Sequence, residues 1–505
     1  NNFEGGNSTI NTLYGIVFDW NPGPVDVKFT ASTQDVDVDF AAYDYDSTEN
    51  DQATFFTYDQ FATQDTYELQ FTSNENTWLG DRFEWAAGYY KLKAAGGFER
   101  LFFTVNAGLL TPNVTSNLGQ LGSLVQQVIQ SSNDVMLQAG GIVYTDSDSV
   151  YFQGTWTFNE AFNATIGVRY QEETRSVNDT HLDLVDTTNG PPPKSYYQSS
   201  DTSRNTVLQN FEGSSVDTTT VSPRLAIQYF PTDWLQIYAS ASRGYKSPTF
   251  NVINFFSAPD EVKAEEATAF ELGFKSDMLD GALRLNGAIF KSKTEQLVTA
   301  IVSLTSGGVV RFSNAEEAQS EGAEIDFNWQ PMPNWNPGLA ISGGGSYIDA
   351  RYTDYTNGAG FDDDTGLYFG PDNLTGTPVQ DPRDFTGNRV VRTPKLSSSV
   401  SVNQFFDIGE YGALEFAVDY SYKSDYNTTP QESPFFVQDQ HELWGARAAW
   451  FYDPWGIQVT AYVDNIKDKE YFSSILQQDF GRTAKLAPPK FYGIRLKWDF
   501  GMAFE

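Results

Sequence analysis

The chain has no cysteine and only two histidines, His181 and His441, in 505 residues. No disulfide can staple it, and no Cys-ligated metal site is open to it. Two histidines leave little room for a His-based metal site or a catalytic triad. The sequence contains no G-x-S-x-G, no H-E-x-x-H and no P-loop. Acidic pairs are so common that none marks a glycosidase dyad, so nothing points to an enzyme. Long apolar runs are missing too: no window approaches the ~18 uninterrupted apolar residues of a membrane helix, and mean hydropathy is −0.42. Basic residues are scarce, 32 Lys and Arg against 66 Asp and Glu, for a net charge of −34. That balance excludes the basic footprint of a nucleic-acid binder. It suits solvated acidic loops on an exported protein, in a medium where salt screens their repulsion. The chain opens at Asn1 with no Met and no signal peptide, as a mature, trimmed or partial sequence does.

What is present in abundance is aromatic: 39 Phe, 27 Tyr and 11 Trp. In a chain this polar they must be interleaved with polar residues, and they are. In FYGIRLKWDF (491–500), Tyr492, Ile494, Leu496, Trp498 and Phe500 alternate with Phe491, Gly493, Arg495, Lys497 and Asp499. The same period of two recurs in FNATIGVRYQ (162–171), WLQIYASASR (234–243), ALEFAVDYSY (413–422) and GIQVTAYVDN (456–465). These read as strands of about ten residues, the length that crosses a bilayer when tilted. No linker or shift in composition divides the chain, so residues 1–505 read as a single repetitive domain.

The connections between strands take turns. Short ones, rich in turn formers, fall at 21–24, 159–161, 231–234, 279–282, 331–338, 407–412 and 452–456. Long, acidic ones fall near 41–63, 94–148, 174–218, 244–264, 350–393, 423–439 and 465–489. Short turns on one rim and long loops on the other mark an outer-membrane β-barrel, with one face of each strand in lipid and the other in a wet lumen. Lipid offers no hydrogen bonds, so every backbone group must pair and the sheet must close. Tyr and Trp near the strand ends would sit at headgroup level. The fold class is therefore all-β, a transmembrane antiparallel barrel. About 17 strands are visible, with 294–317 uncertain. The first and last strands both run toward the short-turn rim. An odd number of N-terminal strands is thus expected to be missing from this sequence.

Several stretches resemble the C-terminal barrel of TonB-dependent outer-membrane receptors. They are YFQGTWTFNEAFNATIGVRYQEETR (151–175), SASRGYKSPTFN (240–251), EEATAFELGFKSDMLDGALRLNGAIF (265–290), NAEEAQSEGAEIDFNWQP (314–331), VDNIKDKEYF (463–472) and PPKFYGIRLKWDF (488–500). They run in the family's order over about 150–500. The resemblance implies a 22-strand barrel filled by an N-terminal plug, and neither plug nor TonB box is visible here. Twenty-two less 17 leaves five strands, an odd number. A second departure is the tail GMAFE (501–505), which follows Phe500 where family members often end on an aromatic; Phe504 would serve instead. The implied function is TonB-dependent active uptake of a scarce bulky solute across the bacterial outer membrane. An iron-siderophore is the family's commonest ligand, and vitamins, carbohydrates and metals are others. The implied partners are the lipid bilayer with its lipopolysaccharide, and TonB acting through the missing plug. The rivals are a passive porin that lacks a plug and a secreted all-β binding protein.

Candidate sites lie in the long loops. GYKSPTFNVINFF (244–256) places Tyr245, Phe250, Asn251, Asn254, Phe255 and Phe256 at a loop base. There they either hold a sugar or chelate by stacking and hydrogen bonding or simply pack the loop. Arg389 and Arg392 in GNRVVRTPK face an anionic ligand, a plug or lumen carboxylates. Asp362, Asp363 and Asp364 in FDDDTG are a candidate Ca²⁺ loop without EF-hand spacing, or a solvated tip; YDYDSTEND (43–51) reads the same way. No other cofactor is expected. TSNLGQLGSLVQQVIQSSN (115–133) breaks the strand pattern with Leu118, Leu121, Val125, Val128 and Ile129 at helical spacing, capped by Thr115 or Ser116. It would be a lid over the mouth or a packing helix between loops.

Overall fold

A computed structural model of the chain describes residues 6–44, 53–80, 82–106, 134–253, 258–303, 308–370, 380–478 and 481–499. The expected helix at 115–133, most of YDYDSTEND, Asn254, Phe255, Phe256 and the tail 501–505 lie outside the described residues. Within them no helix is long and apolar enough to cross a membrane, which says nothing about strands.

The alternating segments form one antiparallel sheet of nineteen strands. Seventeen are long and follow one another as neighbours. They are β1 Gly6–Trp20, β2 Val25–Asp44, β3 Gln60–Ser73, β4 Phe83–Asn106, β5 Asp134–Asn159, β6 Phe162–Val185, β7 Ser214–Thr232, β8 Leu235–Lys246 and β9 Glu265–Met278. Then come β10 Leu283–Ser303, β11 Gly308–Trp329, β12 Leu339–Asp354, β13 Leu396–Asp407, β14 Ala413–Lys423, β15 His441–Tyr452, β16 Ile457–Asp464 and β17 Phe491–Trp498. The remaining two are short pieces, Ala53–Thr57 on β2 and β4, and Asn205–Asn210 on β6. The expected strand count and the two rims are both present. β1 and β17 run the same way, toward the short-turn rim, and among the described residues no pairing joins them.

The short turn 407–412 rests on backbone that only glycine tolerates. At Gly412 φ is +93°, and a Cβ there would lie 2.0 Å from the Phe451 carbonyl oxygen. The strand β14 leaves that turn directly against β15.

Strand pairing sorts the side chains into two faces. On the outer face Ile166 is 60 % exposed, Ile237 38 %, Phe416 46 % and Leu496 68 %. Burying such a side chain stabilises a soluble protein by roughly 1.5–3 kcal/mol, and here they share no core. Their continuous apolar surface belongs against hydrocarbon. The tryptophans at its borders gather at one rim. Ten of the eleven tryptophans, all but Trp444, lie in or next to short turns. Tyr14, Tyr67, Tyr89, Tyr170 and Tyr347 stand exposed toward the long-loop side. Each type has an apolar ring and a polar tip suited to the headgroup level.

Several strands are far longer than a bilayer crossing. β4, β5 and β6 have 24, 26 and 24 residues. At ~3.3 Å per residue β4 is about 80 Å long, where a crossing needs only 9–11 residues. Much of what reads as loop in 94–148 and 174–218 is therefore strand, projecting beyond the membrane. In this extension both faces are buried. Phe55, Leu101, Phe103, Val135, Leu137 and Leu182 form a core on one side. Phe102, Met136, Val185 and Tyr196 form a core on the other.

Candidate functional site

The face opposite the belt is polar, as a wet lumen requires. Tyr151 lies over Gly88, where a Cβ would meet its hydroxyl at 2.5 Å, and it donates to Glu68 Oε1 at 2.7 Å. Tyr238 lies over Gly273 in the same way and donates to Glu271 Oε1 at 2.6 Å. Arg169 stacks 5.5 Å from the Tyr90 ring centre. On β13–β15, Arg447 donates to Asn403 Oδ1 at 2.9 Å, Glu415 Oε1 at 3.1 Å and Asp419 Oδ2 at 3.4 Å. Above it a recess of about 630 Å³ is lined by Ser399, Ser401, Asp419, Asp464 and Phe491, with Tyr471 and Pro488 of the last long loop at its edge.

Two ordered bodies frame the mouth. The first is the β4–β6 extension. Its outer face is covered by the segment around the single helical turn Lys194–Tyr197. Buried Arg100 fastens that cover. Its guanidinium donates to Gln138 Oε1 at 2.8 and 3.1 Å, to the Tyr196 carbonyl at 2.6 Å, to the Asp201 carbonyl at 3.0 Å and to the Ser199 carbonyl. It also lies 4.9 and 4.7 Å from the ring centres of Phe102 and Tyr196. A cation at the C-terminal carbonyls of a helical turn complements their negative end. Asn205 Nδ2 ties Gln138 Oε1 at 3.2 Å to Asp183 Oδ2 at 2.6 Å. Burial pushes the neighbouring Tyr197 phenol up to about 12.

The second body is the long loop between β12 and β13. Tyr352, Tyr355, Phe369 and Phe385 pack with Ala315 and Ala318 of β11. The hairpin Phe472–Gln478 with Gly481–Leu486 lies against β10, on the far side of this loop. Gln477 Nε2 reaches the Phe361 carbonyl at 3.4 Å.

The candidates read from sequence are distributed among these bodies. Phe250 and Asn251 are buried. Asn251 takes the part of a strand residue: its Nδ2 donates to the Phe312 carbonyl at 2.9 Å and its Oδ1 accepts from Phe312 N–H at 2.8 Å. Tyr245 is half-buried, with its hydroxyl buried near Thr218. Arg389 pairs with Asp425 Oδ2 at 3.0 Å and with the Asp425 carbonyl at 2.8 Å. Arg392 is exposed, on left-handed backbone with φ +57°. The three aspartates diverge. Asp362 Oδ1 accepts from Thr365 N–H and Thr365 Oγ1, each at 2.9 Å, and its other oxygen from Arg383. The Arg383 guanidinium, followed by the Thr365 bonds, holds the Asp362 carboxyl well below the usual range. Asp363 accepts from Ser433 Oγ at 2.6 Å, and Asp364 is exposed. Among the described residues no three carboxylates or histidines converge as a metal site. Thus the geometry brings Asp362, Asp363 and their loop partners together as a folded turn, and leaves Arg392 open.

Sequence reasoning missed Arg100 and its network. The available signal was ERLFFTV (99–105), a short apolar run without alternation, which is the mark of a strand buried on both faces.

Comparison with known proteins agrees with this architecture. The family model described as TonB dependent receptor-like, beta-barrel matches residues 1–466. The pesticin receptor of Yersinia enterocolitica is 23 % identical over 379 residues, 72 % of this chain and 45 % of the receptor. The metal-pseudopaline receptor CntO of Pseudomonas aeruginosa is 28 % identical over 208 residues, 41 % of this chain and 25 % of the receptor. The chain thus spans about half or less of the curated relatives it matches. Among solved structures, the ferric yersiniabactin uptake receptor FyuA of Yersinia pestis superimposes with a TM-score of 0.68 at 15 % identity, over 97 % of this chain and 61 % of that one. The siderophore receptor PiuA of Acinetobacter baumannii gives 0.63 at 16 % identity, over 97 % and 64 %. Matched along nearly its whole length and folded as the pattern demands, the chain belongs to the TonB-dependent receptor β-barrel family.

Proposed function

We propose that this chain is the wall of an outer-membrane receptor that takes up a scarce metal chelate of the siderophore kind by TonB-dependent active transport. The observation that carries this reading is the entrance: a polar lumen lies beneath loops with hydrophobic cores of their own. A pore for free diffusion has no need of so built a mouth. Relatives named for metal-pseudopaline and ferric yersiniabactin support a metal chelate as the solute class. In this proposal the chelate enters between the β4–β6 extension and the loop after β12, and exposed Arg392 meets its anionic groups. Transport requires a plug in the lumen that TonB can act on, and the plug expected before Asn1 is part of the proposal. The test is radio-iron uptake from a panel of ferric siderophores by cells carrying the intact gene, with and without TonB. Saturable uptake of at least one chelate should vanish without TonB, and Arg392→Glu should raise its half-saturation concentration. TonB-independent uptake, or steady large conductance of the intact protein in a planar bilayer, would overturn the proposal.

A further inference from the structure

Strand register accounts for the recess beneath the last long loop. Ser342, Ser401, Asp419 and Gly445 follow one another on the inner face of β12–β15, and Asp464 is paired with Phe491 across β16 and β17. The next inner row toward the mouth is Gly344, Ser399, Ser421 and Leu443. Small side chains at these inner positions hollow the wall to about 630 Å³, within the ~300–1,000 Å³ of small-molecule sites. Gly445 leaves the space between two acids empty: a Cβ there would stand 3.5 Å from Asp464 Oδ1 and 3.9 Å from Asp419 Cβ. Asp464 closes β16 and Phe491 opens β17. The recess therefore lies at the long-loop end of the lumen, where a solute from outside arrives.

The two acids are held differently. Asp419 accepts from Ser401 Oγ at 2.6 Å and lies 3.4 Å from Arg447 Nη1. Asp464 is exposed, and among the described residues no donor or cation reaches its carboxylate. Arg447 is already shared with Glu415 and Asn403, so three carboxylates face one guanidinium here. Arg495, lower on β17, is engaged over the Tyr462 ring at 5.7 Å. The rim of the recess is aromatic and fixed. Tyr471 stacks on the buried His441 ring, with centroids 4.6 Å apart and planes 14° apart. Phe491 meets the Tyr462 ring at 5.7 Å. Asn465 clamps the base of the loop that carries Tyr471, accepting from Lys469 N–H at 2.8 Å and donating to the Lys469 carbonyl at 2.9 Å. Two acids without a third ligand do not cage a bare metal ion. A preformed pocket with aromatic sides, hydroxyls and an open carboxylate is instead the make-up of an organic-cation site.

We infer that this recess receives a protonated amino arm of the solute, with the ammonium between Asp464 and Asp419 and its carbon chain against Tyr471 and Phe491. The inference rests on the uptake reading above and narrows it: a chelate with anionic groups for Arg392 and an ammonium arm for the recess carries charge of both signs. The test starts from Ser421→Cys in the intact receptor on whole cells, which puts a thiol on the recess wall of a chain without other cysteines. The probes are two methanethiosulfonates, one carrying trimethylammonium and one sulfonate. The ratio of their rates, cationic over anionic, should be at least tenfold higher than at Asn357→Cys, an exposed loop site. Asp464→Asn beside Ser421→Cys should lower the ratio at least threefold, and Asp464→Glu should keep most of it. In the uptake panel, N-acetylation of a transported chelate's free amine should raise its half-saturation concentration at least fivefold in wild type and less than twofold in Asp464→Asn. Equal rate ratios at the two thiols, no effect of acetylation, or transport confined to chelates without an amino group would overturn the inference. Loss of TonB dependence with the cation preference intact would overturn the uptake reading alone.

Discussion

Replacing Arg100 by Ala should release the covering segment 194–201 from the β4–β6 extension while the barrel stays folded. The guanidinium serves four acceptors: Gln138 Oε1 and the carbonyls of Tyr196, Ser199 and Asp201. Gln138 Oε1 has a second donor in Asn205, and the Tyr196 carbonyl has only a long one, Ser199 Oγ at 3.5 Å. A buried acceptor left without a donor costs about 1–3 kcal/mol. Two of the three stranded carbonyls sit at the half-buried edge and regain water when the segment lifts, so the loss is about 3–5 kcal/mol and not the full sum. The stacking against Phe102 and Tyr196 is lost as well. At 1.4 kcal/mol per tenfold, hydrogen-exchange protection of amides in 194–205 should fall at least a hundredfold, or to the unprotected limit. The barrel is held by strand pairing on both sides of every interior strand and should keep its thermal transition. Arg100→Lys should be intermediate, because an ammonium cannot fork to Gln138 and three carbonyls at once. Unchanged protection in Arg100→Ala, with the variant folded, would show that the apolar contacts of Tyr196 and Met136 hold the segment without it.

Three further outcomes are expected. Ile166→Arg should destabilise the barrel in lipid vesicles by about 2–4 kcal/mol, read from reversible folding into vesicles; a change within 0.5 kcal/mol would put this face in water. Gly412→Ala combines an unfavourable φ of +93° with a carbonyl 2.0 Å from the new Cβ, so the β13–β14 turn should lose about 1–3 kcal/mol, visible as a lower yield of heat-modifiable folded protein. The FDDDTG turn should be acid-sensitive. Arg383 depresses the Asp362 carboxyl, so its contribution is complete above the ordinary Asp value of ~3.9 and is lost as pH falls through the lower folded value. Exchange of the Thr365 amide should therefore remain protected at pH 5 and loosen only at strongly acidic pH, and Asp362→Asn should loosen it at both.

The barrel was legible in the sequence because lipid imposes a strict rule. Every second residue must be apolar and every backbone group paired, so Ile166, Ile237, Phe416 and Leu496 could be assigned outward from alternation alone. The loops obey no such rule. Asn251 reads as a ligand-binding amide, yet its Oδ1 and Nδ2 are both spent on Phe312. Asp362 reads as a calcium donor, yet Thr365 and Arg383 occupy its oxygens. Phe312 belongs to strand β11 and Arg383 to a later part of the same long loop, and a local pattern carries no information about either. Arg389 was caught only in one alternative, pairing with a carboxylate, and the partner proved to be Asp425 of the next loop.

The strand extensions were missed for a different reason: one strand passes through three surroundings. On the outer face of β4, Tyr89 marks the edge of hydrocarbon, Lys91 stands among Asp146 and Asp148, and Phe102 is buried beneath Tyr197. A bulge on β4 between Phe98 and Leu101 shifts the register by one residue, and a second lies across β5 from it, with its extra residue on β6 between Asn178 and His181. Each bulge exchanges the faces of the residues beyond it, so no single phase of alternation describes the whole strand. The consequence reaches the mouth. Because the wall continues without a break into the core of the first loop body, hydrogen-bonded register fixes where Arg100 and the inner apolar face stand above the lumen. That side of the entrance is an extension of the barrel, and changes in its shape must be made at the cover that Arg100 fastens or in the loops across from it.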